Sequence, residues 1–161
     1  MAATIELKFG PNAQALTITL ASLANNGQRA STAIDNTTNL FRSIKLRLDL
    51  KSGASGVSAT GFVNVYAVGS VDGGTTYDEG ATGSDAGITL TVPPNARLIG
   101  CINMVANATT YHSRMMEVAD AFSGTLPDHI VIIVENKSGA AFDATEGNHT
   151  KKWQGVQDQS V

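Results

Sequence analysis

Apolar and polar side chains alternate residue by residue over residues 40–51. Ile44, Leu46, Leu48 and Leu50 fall on one side, and Lys45, Arg47, Asp49 and Lys51 on the other. Successive side chains of a strand point to opposite faces of a sheet, so this pattern predicts a strand with one face in a core and one in water. The same alternation sets Ile5, Leu7 and Phe9 against Glu6 and Lys8. It sets Leu16, Ile18 and Leu20 against Thr17 and Thr19, and Ile88, Leu90 and Val92 against Thr89 and Thr91. Residues 62–71 are apolar at both parities, and residues 98–105 and 130–135 are continuous apolar runs. Runs of that kind predict central strands covered on both faces.

Turn residues punctuate these segments: Gly10-Pro11-Asn12, the Gly- and Ser-rich tract 52–56, Asp72-Gly73-Gly74, the loop 80–87 and Pro93-Pro94-Asn95. Each supplies the special backbone angles of a reversal. Over residues 21–39 the periodicity stops. A connection of about twenty residues is longer than a hairpin needs, which predicts a functional arm or contact surface. Residues 115–122 fit helical and strand spacing alike; the strand-rich surroundings and the stop at Ser123-Gly124 favour a strand. Trp153, Gly155 and Gln157 fit a terminal strand or an ordered tail.

Eight or nine strands with no crossover helix predict an all-β fold, an antiparallel β-sandwich with long connecting loops. A jelly-roll-like topology with four strands in each sheet is expected, with an immunoglobulin-like sandwich as the alternative. The 161 residues read as one domain, 1–161, large enough to bury a core without disulfides or metals. The expected core comprises Ile44, Leu46, Leu48, Leu50, Val63, Val65, Leu90, Ile102, Ile132 and Val134. The lone Cys101 lies in the run 98–105 and is expected to be a small buried hydrophobe.

Charged residues make up 16% of the chain, below the usual quarter. A surface of neutral polar groups has few long charged side chains to desolvate or immobilise on packing, which suits an assembly component as well as an ordinary β domain. The net charge of −3, with 11 Lys and Arg scattered along the chain, provides no basic field for nucleic acid. No run approaches the length of a membrane-spanning helix. The start, Met1-Ala2-Ala3-Thr4-Ile5-Glu6, lacks the basic and apolar regions of a signal peptide.

Catalytic chemistry has little to stand on. His112, His129 and His149 follow polar or turn residues, and no G-x-S-x-G spacing occurs, so no enzyme is expected. Asp72, Asp78, Glu79 and Asp85 flank neighbouring loops, and Asp143, Glu146 and His149 bracket Gly147-Asn148. Turn chemistry accounts for both groups better than calcium does, and no metal or cofactor is expected. Residues 69–74 are glycine-rich but lack the Lys-Ser/Thr ending of a phosphate loop. Four sequons, beginning at Asn36, Asn107, Asn136 and Asn148, predict exposed loops. Tyr66, Tyr77, Tyr111 and Trp153 are the candidates for stacking against a sugar, in a chain with only 6% aromatics.

Several phrases carry a resemblance. They are Ala24-Asn25-Asn26-Gly27-Gln28-Arg29-Ala30-Ser31, Asp35-Asn36-Thr37-Thr38-Asn39, residues 62–76, Leu90-Thr91-Val92-Pro93-Pro94-Asn95, and Glu135-Asn136-Lys137-Ser138-Gly139. Together they span most of the chain, and it resembles small virion-associated structural proteins of tailed bacteriophages and prophages. The resemblance implies a virion structural protein made in the host bacterial cytoplasm. It transfers no functional residue.

Within that class, the short chain and long polar connection suit a capsid decoration or cement protein that reinforces the assembled shell. Its partners would be the major capsid protein and further copies of itself as a homo-oligomer, with no nucleic acid or membrane involved. Many copies bridging neighbouring subunits gain by avidity. One alternative is a tail or fibre accessory module that binds host-surface carbohydrate. A polysaccharide hydrolase domain is disfavoured by the missing acid pair. Residues 24–39 and 151–161 lack burying alternation, so their ordering is expected to draw on a partner surface. Arg29, Asn36, Trp153 and Gln154 are the expected contacts, since Arg and Trp often dominate interfaces.

Overall fold

A computed structural model describes residues 4–160. The start Met1–Ala3 and the final Val161, part of the C-terminal tract considered above, lie outside the described residues. Twelve strands follow one another: β1 Ile5–Phe9, β2 Gln14–Ala15, β3 Gln28–Ala30, β4 Ile34–Asp35, β5 Ser43–Lys51 and β6 Phe62–Ser70. After them come β7 Ala86–Gly87, β8 Arg97–Asn103, β9 Thr110–His112, β10 Met116–Glu117, β11 His129–Lys137 and β12 Thr150–Ser160.

They form two antiparallel sheets packed face to face. The first runs β1-β12-β5-β10, with β2 beside β12 and β9 beside β5. The second runs β7-β3-β11-β6-β8, with β4 beside β11. This is the all-β sandwich the alternation predicts. Each sheet has six strands, so the arrangement is not the four-plus-four expected of a jelly roll. The surplus consists of two- and three-residue strands, too short to leave a periodic trace.

Between the sheets, Ile44, Leu46, Leu48 and Leu50 of β5 meet Val63 and Val65 of β6 and Ile130, Ile132 and Val134 of β11. All ten expected core residues are buried. Leu90, however, belongs to a second cluster, with Ala30, Tyr66, Val68, Ala81, Ala96, Val131 and Ile133. This smaller core lies on the outer face of the second sheet, under the loops between β6 and β8. It explains why β6 and β11 are apolar at both parities: one face meets the other sheet and the opposite face meets the loops.

Other expectations need correction. Leu16, Ile18 and Leu20 are buried as their alternation requires, but no ladder continues past Ala15. The Leu16 amide donates to Lys151 O at 3.0 Å, and Thr17 O accepts from the Thr32 amide at 2.8 Å. Further on, carboxylates replace a neighbouring strand: Thr19 N donates to Asp85, and Leu20 N and Ala21 N both donate to Glu146 Oε2. Residues 88–92 are likewise extended without pairing as a strand. Leu90 N donates to the Gln28 side chain and Thr91 N to Glu79, while Val92 is fully in solvent.

The run 98–105 forms β8, which is an edge strand rather than a central one. Its outer face is left uncovered, so Leu98 and Cys101, with Val105 just past its end, are exposed, and Cys101 is not the buried hydrophobe expected. The connection 21–39 is not irregular throughout, since β3 and β4 within it pair with β11. Residues 115–122 divide: Met116–Glu117 is strand, and Val118–Phe122 is a 3-10 turn that sinks Val118 and Ala119 into the core. Residues 150–160 are the longest strand, paired with β1, β2 and β5.

Candidate contact surface

The four expected contact residues all have partners inside the chain. Arg29, on β3, donates from Nε to Asp85 Oδ1 at 2.6 Å and from a terminal nitrogen to the Asp85 carbonyl at 3.1 Å. Asn36 is buried. Its amide nitrogen donates to Phe41 O at 3.1 Å, and its oxygen accepts from Phe41 N at 2.7 Å. Trp153 meets the Phe41 ring edge-on at 6.1 Å between centroids. Gln154 donates to Gly10 O at 3.3 Å. The fold thus gathers Asn36 and Trp153 around Phe41, with Gln154 beside them, and leaves Arg29 on the other sheet. Trp153 and Gln154 keep part of their surface accessible and line a shallow groove on the first sheet with Met115, Lys45 and Arg47.

Of the acidic candidates for metal ligands, Asp72, Glu79, Asp85, Asp143 and Glu146 are loop staples. Asp72 accepts from the Ser70 and Thr76 hydroxyls and the Thr75 and Thr76 amides, which hold its carboxyl well below the usual range. Glu79 receives the amides of Thr91, Asn95 and Ala96. Asp143 accepts from Asn148 and the Thr145 amide and pairs with Lys51. Glu146 pairs with Lys151 besides capping Leu20 and Ala21. His149 is buried; Nδ1 accepts from the Lys51 amide, which leaves Nε2 to donate to Asp143 O. Among the described residues no three His, Cys, Asp or Glu side chains converge as a metal site requires.

Nor do the aromatic candidates form a stacking platform. Tyr66 is buried, Tyr77 packs on the smaller core, and the Tyr111 hydroxyl accepts the Val105 and Ala106 amides. Two sequon asparagines expected in exposed loops, Asn36 and Asn136, are buried. Each uses its side-chain amide as a substitute backbone: Asn136 donates to Leu23 O and Ala140 O and accepts from the Ser138 amide.

What the sequence pattern did not reveal is a groove on the outer face of the second sheet, where β6 pairs with β8. Phe62, Leu98, Cys101 and Val105 supply its apolar surface, and Thr60, Asn64 and Asn103 its polar rim. Among the described residues no charged one lines it. The signal lay in the run 98–105, since a strand apolar at both parities leaves apolar side chains in solvent wherever no layer covers one of its faces.

Asn64 forms the wall between this groove and a buried polar network. It donates to Glu135 at 3.0 Å and to the Tyr66 hydroxyl at 3.1 Å. Tyr66 in turn donates to Glu135 at 3.1 Å, Gln28 donates to the other carboxylate oxygen at 2.8 Å, and Lys137 lies 3.3 Å from it. Burial alone would raise the Glu135 carboxyl, but donors from Asn64 and Gln28 and the Lys137 ammonium outweigh it and hold it below the ordinary range. Burial and the Glu135 charge push the Tyr66 hydroxyl up. The network fixes Asn64, so the polar wall of the groove is pre-set.

A second exposed feature is the ribbon of β1 and the end of β12. Pairing with β5 ends at Val156↔Ser43, while pairing with β1 continues to Ser160↔Ile5. Past Val156, therefore, β1 and β12 run on as a two-stranded extension, with every residue of β1 exposed.

No protein-family model matches this chain, and no curated protein or solved structure is significantly similar to it.

Proposed function

We propose that this protein is a bacteriophage virion structural protein, a capsid decoration protein that binds the assembled shell through the groove between β6 and β8. The observation that carries this reading is the uncharged apolar groove itself, built on a sheet already buried on both sides nearby. Exposed apolar surface ringed by neutral polar groups marks protein contact sites. Docking there desolvates no ion, and the stiff sheet beneath loses little freedom on binding. The partner that suits it is the major capsid protein, met in many copies so that modest contacts add through avidity. Trp153 and Gln154 offer a second contact on the opposite sheet. Arg29 and Asn36 would act indirectly, by fixing the loops they staple. The resemblance to virion-associated proteins supports the setting, the virion of a tailed phage assembled in a bacterial host. The carbohydrate-binding alternative has less support, because Tyr66 is buried, Tyr77 packs on the smaller core and Tyr111 is tied by hydrogen bonds, which leaves chiefly Trp153 to stack against a sugar.

The test is saturation of bare, mature particles by the purified protein. Leu98→Asp with Val105→Asp places charge in the groove without touching the core. The expected result is a loss of particle affinity of at least about tenfold, with an unchanged melting temperature. Unchanged saturation by that variant overturns the groove assignment. Binding to host envelope polysaccharide, with none to particles, would favour the tail-module reading.

A further inference from the structure

Strand β1 has a free edge and a self-complementary sequence, and we propose that two copies of this protein pair there, antiparallel, about a twofold axis through Leu7. Among the described residues β1 is laddered on one side only, to β12. The direction of its free groups follows from the register. Gly10 N donates to Gly155 O, continuing that ladder. In an antiparallel pair hydrogen-bonded and non-hydrogen-bonded positions alternate. The even residues Glu6 and Lys8 therefore bond to β12, and Ile5, Leu7 and Phe9 present their backbone amides and carbonyls to the open edge.

Pairing that edge with its own copy about Leu7 sets Leu7 opposite Leu7 of the second copy and Ile5 opposite Phe9. All three outward-pointing residues then find hydrogen-bonded partners. On the other face Glu6 lies opposite Lys8, twice over by symmetry. Sliding the register two residues either way puts Lys8 against Lys8 or Glu6 against Glu6, and like charges directly opposite destabilise a pair. A one-residue slip would set the apolar face of one strand against the charged face of the other. The charge pattern thus selects a single register. The exposure of Ile5, Leu7 and Phe9 at 72%, 60% and 57% is what such a pairing would reduce. An edge lysine normally discourages strand addition; here Lys8 is neutralised only by a correctly aligned copy.

Five residues per copy bury less area than a permanent interface needs, so the dimer is concentration-dependent in free solution. This pairing is independent of the shell contact and is tested without particles, so the two proposals fail separately.

The experiment is sedimentation equilibrium of the full chain at low salt over about a hundredfold range of concentration. The wild type is expected to move from monomer to dimer. Glu6→Lys alone and Lys8→Glu alone should each weaken dimerisation about tenfold, since each sets like charges opposite twice. The double exchange should restore it, and an equimolar mixture of the two single variants should pair more tightly than either alone. Amide exchange should slow with concentration at Ile5, Leu7 and Phe9 but stay constant at Glu6 and Lys8, which already bond to β12. A wild type that stays monomeric throughout overturns the proposal. So does a dimer indifferent to the single exchanges, or one that the double exchange fails to rescue.

Discussion

A Cβ atom on Gly155 would lie within 2.5 Å of three ring carbons of Phe41. The ring lies flush on the β12 backbone, braced by Trp153 at its edge and by the Asn36 side chain that bonds both backbone groups of Phe41. Glycine is required at 155 for close approach, because no other residue leaves room for the ring. Gly155→Ala should therefore destabilise the fold by about 1–3 kcal/mol through overpacking. In a Phe41→Leu background much of that cost should vanish. Urea denaturation of the two single variants and the double one measures the coupling, and simple additivity would refute the contact.

Leu48 lies at the centre of β5 with no exposed surface. Leu48→Ala should cost roughly 2–5 kcal/mol, from lost burial plus the cavity left behind. Leu98→Ala, in the groove, should stay within about 0.5 kcal/mol of wild type. Leu48 is fully buried on an inner strand and Leu98 is largely exposed on an edge strand, and comparison of denaturation midpoints separates them.

Glu135 makes the stability dependent on pH in one direction. Its carboxyl is depressed in the folded state, so its contribution is fully present above the unfolded value of about 4.3 and is lost as pH falls through the folded value. Glu135→Gln removes that dependence and should flatten the acid limb of a stability-versus-pH curve. At neutral pH the same variant should cost about 1–3 kcal/mol, because the carboxamide cannot accept every donor that Asn64, Gln28, Tyr66 and Lys137 aim at this site. An acid limb identical to wild type would show that the network carries no linked stability.

Glu146 substitutes for a neighbouring strand at Leu20 and Ala21. In Glu146→Ala both amides lose their acceptor, and Lys151 loses its counter-ion. Hydrogen exchange at Leu20 and Ala21 should accelerate by more than about tenfold, while β11 amides keep their protection. Uniform loss of protection across both sheets would mean that the carboxylate supports the whole fold.

Periodicity made the sandwich readable, and it did so where one physical cause dominated. β5 alternates because one face is dry and the other wet, and β6 and β11 carry apolar residues at both parities because both faces are covered. Periodicity misleads where side chains replace strands as hydrogen-bond partners. Residues 16–20 and 88–92 alternate for burial, yet side chains of Glu146, Gln28 and Glu79 take up their amides across separations of 126, 62 and 12 residues, and no local pattern encodes such an acceptor. β8 differs from the expected central strand for a related reason: apolar composition marks a face that avoids water, and an open groove has that composition too. Arg29, Asn36 and Trp153 stand out by residue type, while their partners become visible only in three dimensions: Asp85 for Arg29, and Phe41 for both Asn36 and Trp153.

The smaller core under the loops has a consequence for how the molecule comes apart. It shares no buried side chain with the main core, since the two lie on opposite faces of the second sheet. The loops that roof it are pinned by Glu79, Asp85 and Gln28 rather than by extended ladders. Lifting that roof would wet Tyr66, Val131 and Ile133 on one side while the interior between the sheets stayed dry. Unfolding can then proceed in layers, with an outer skin that loosens before the frame beneath it gives way.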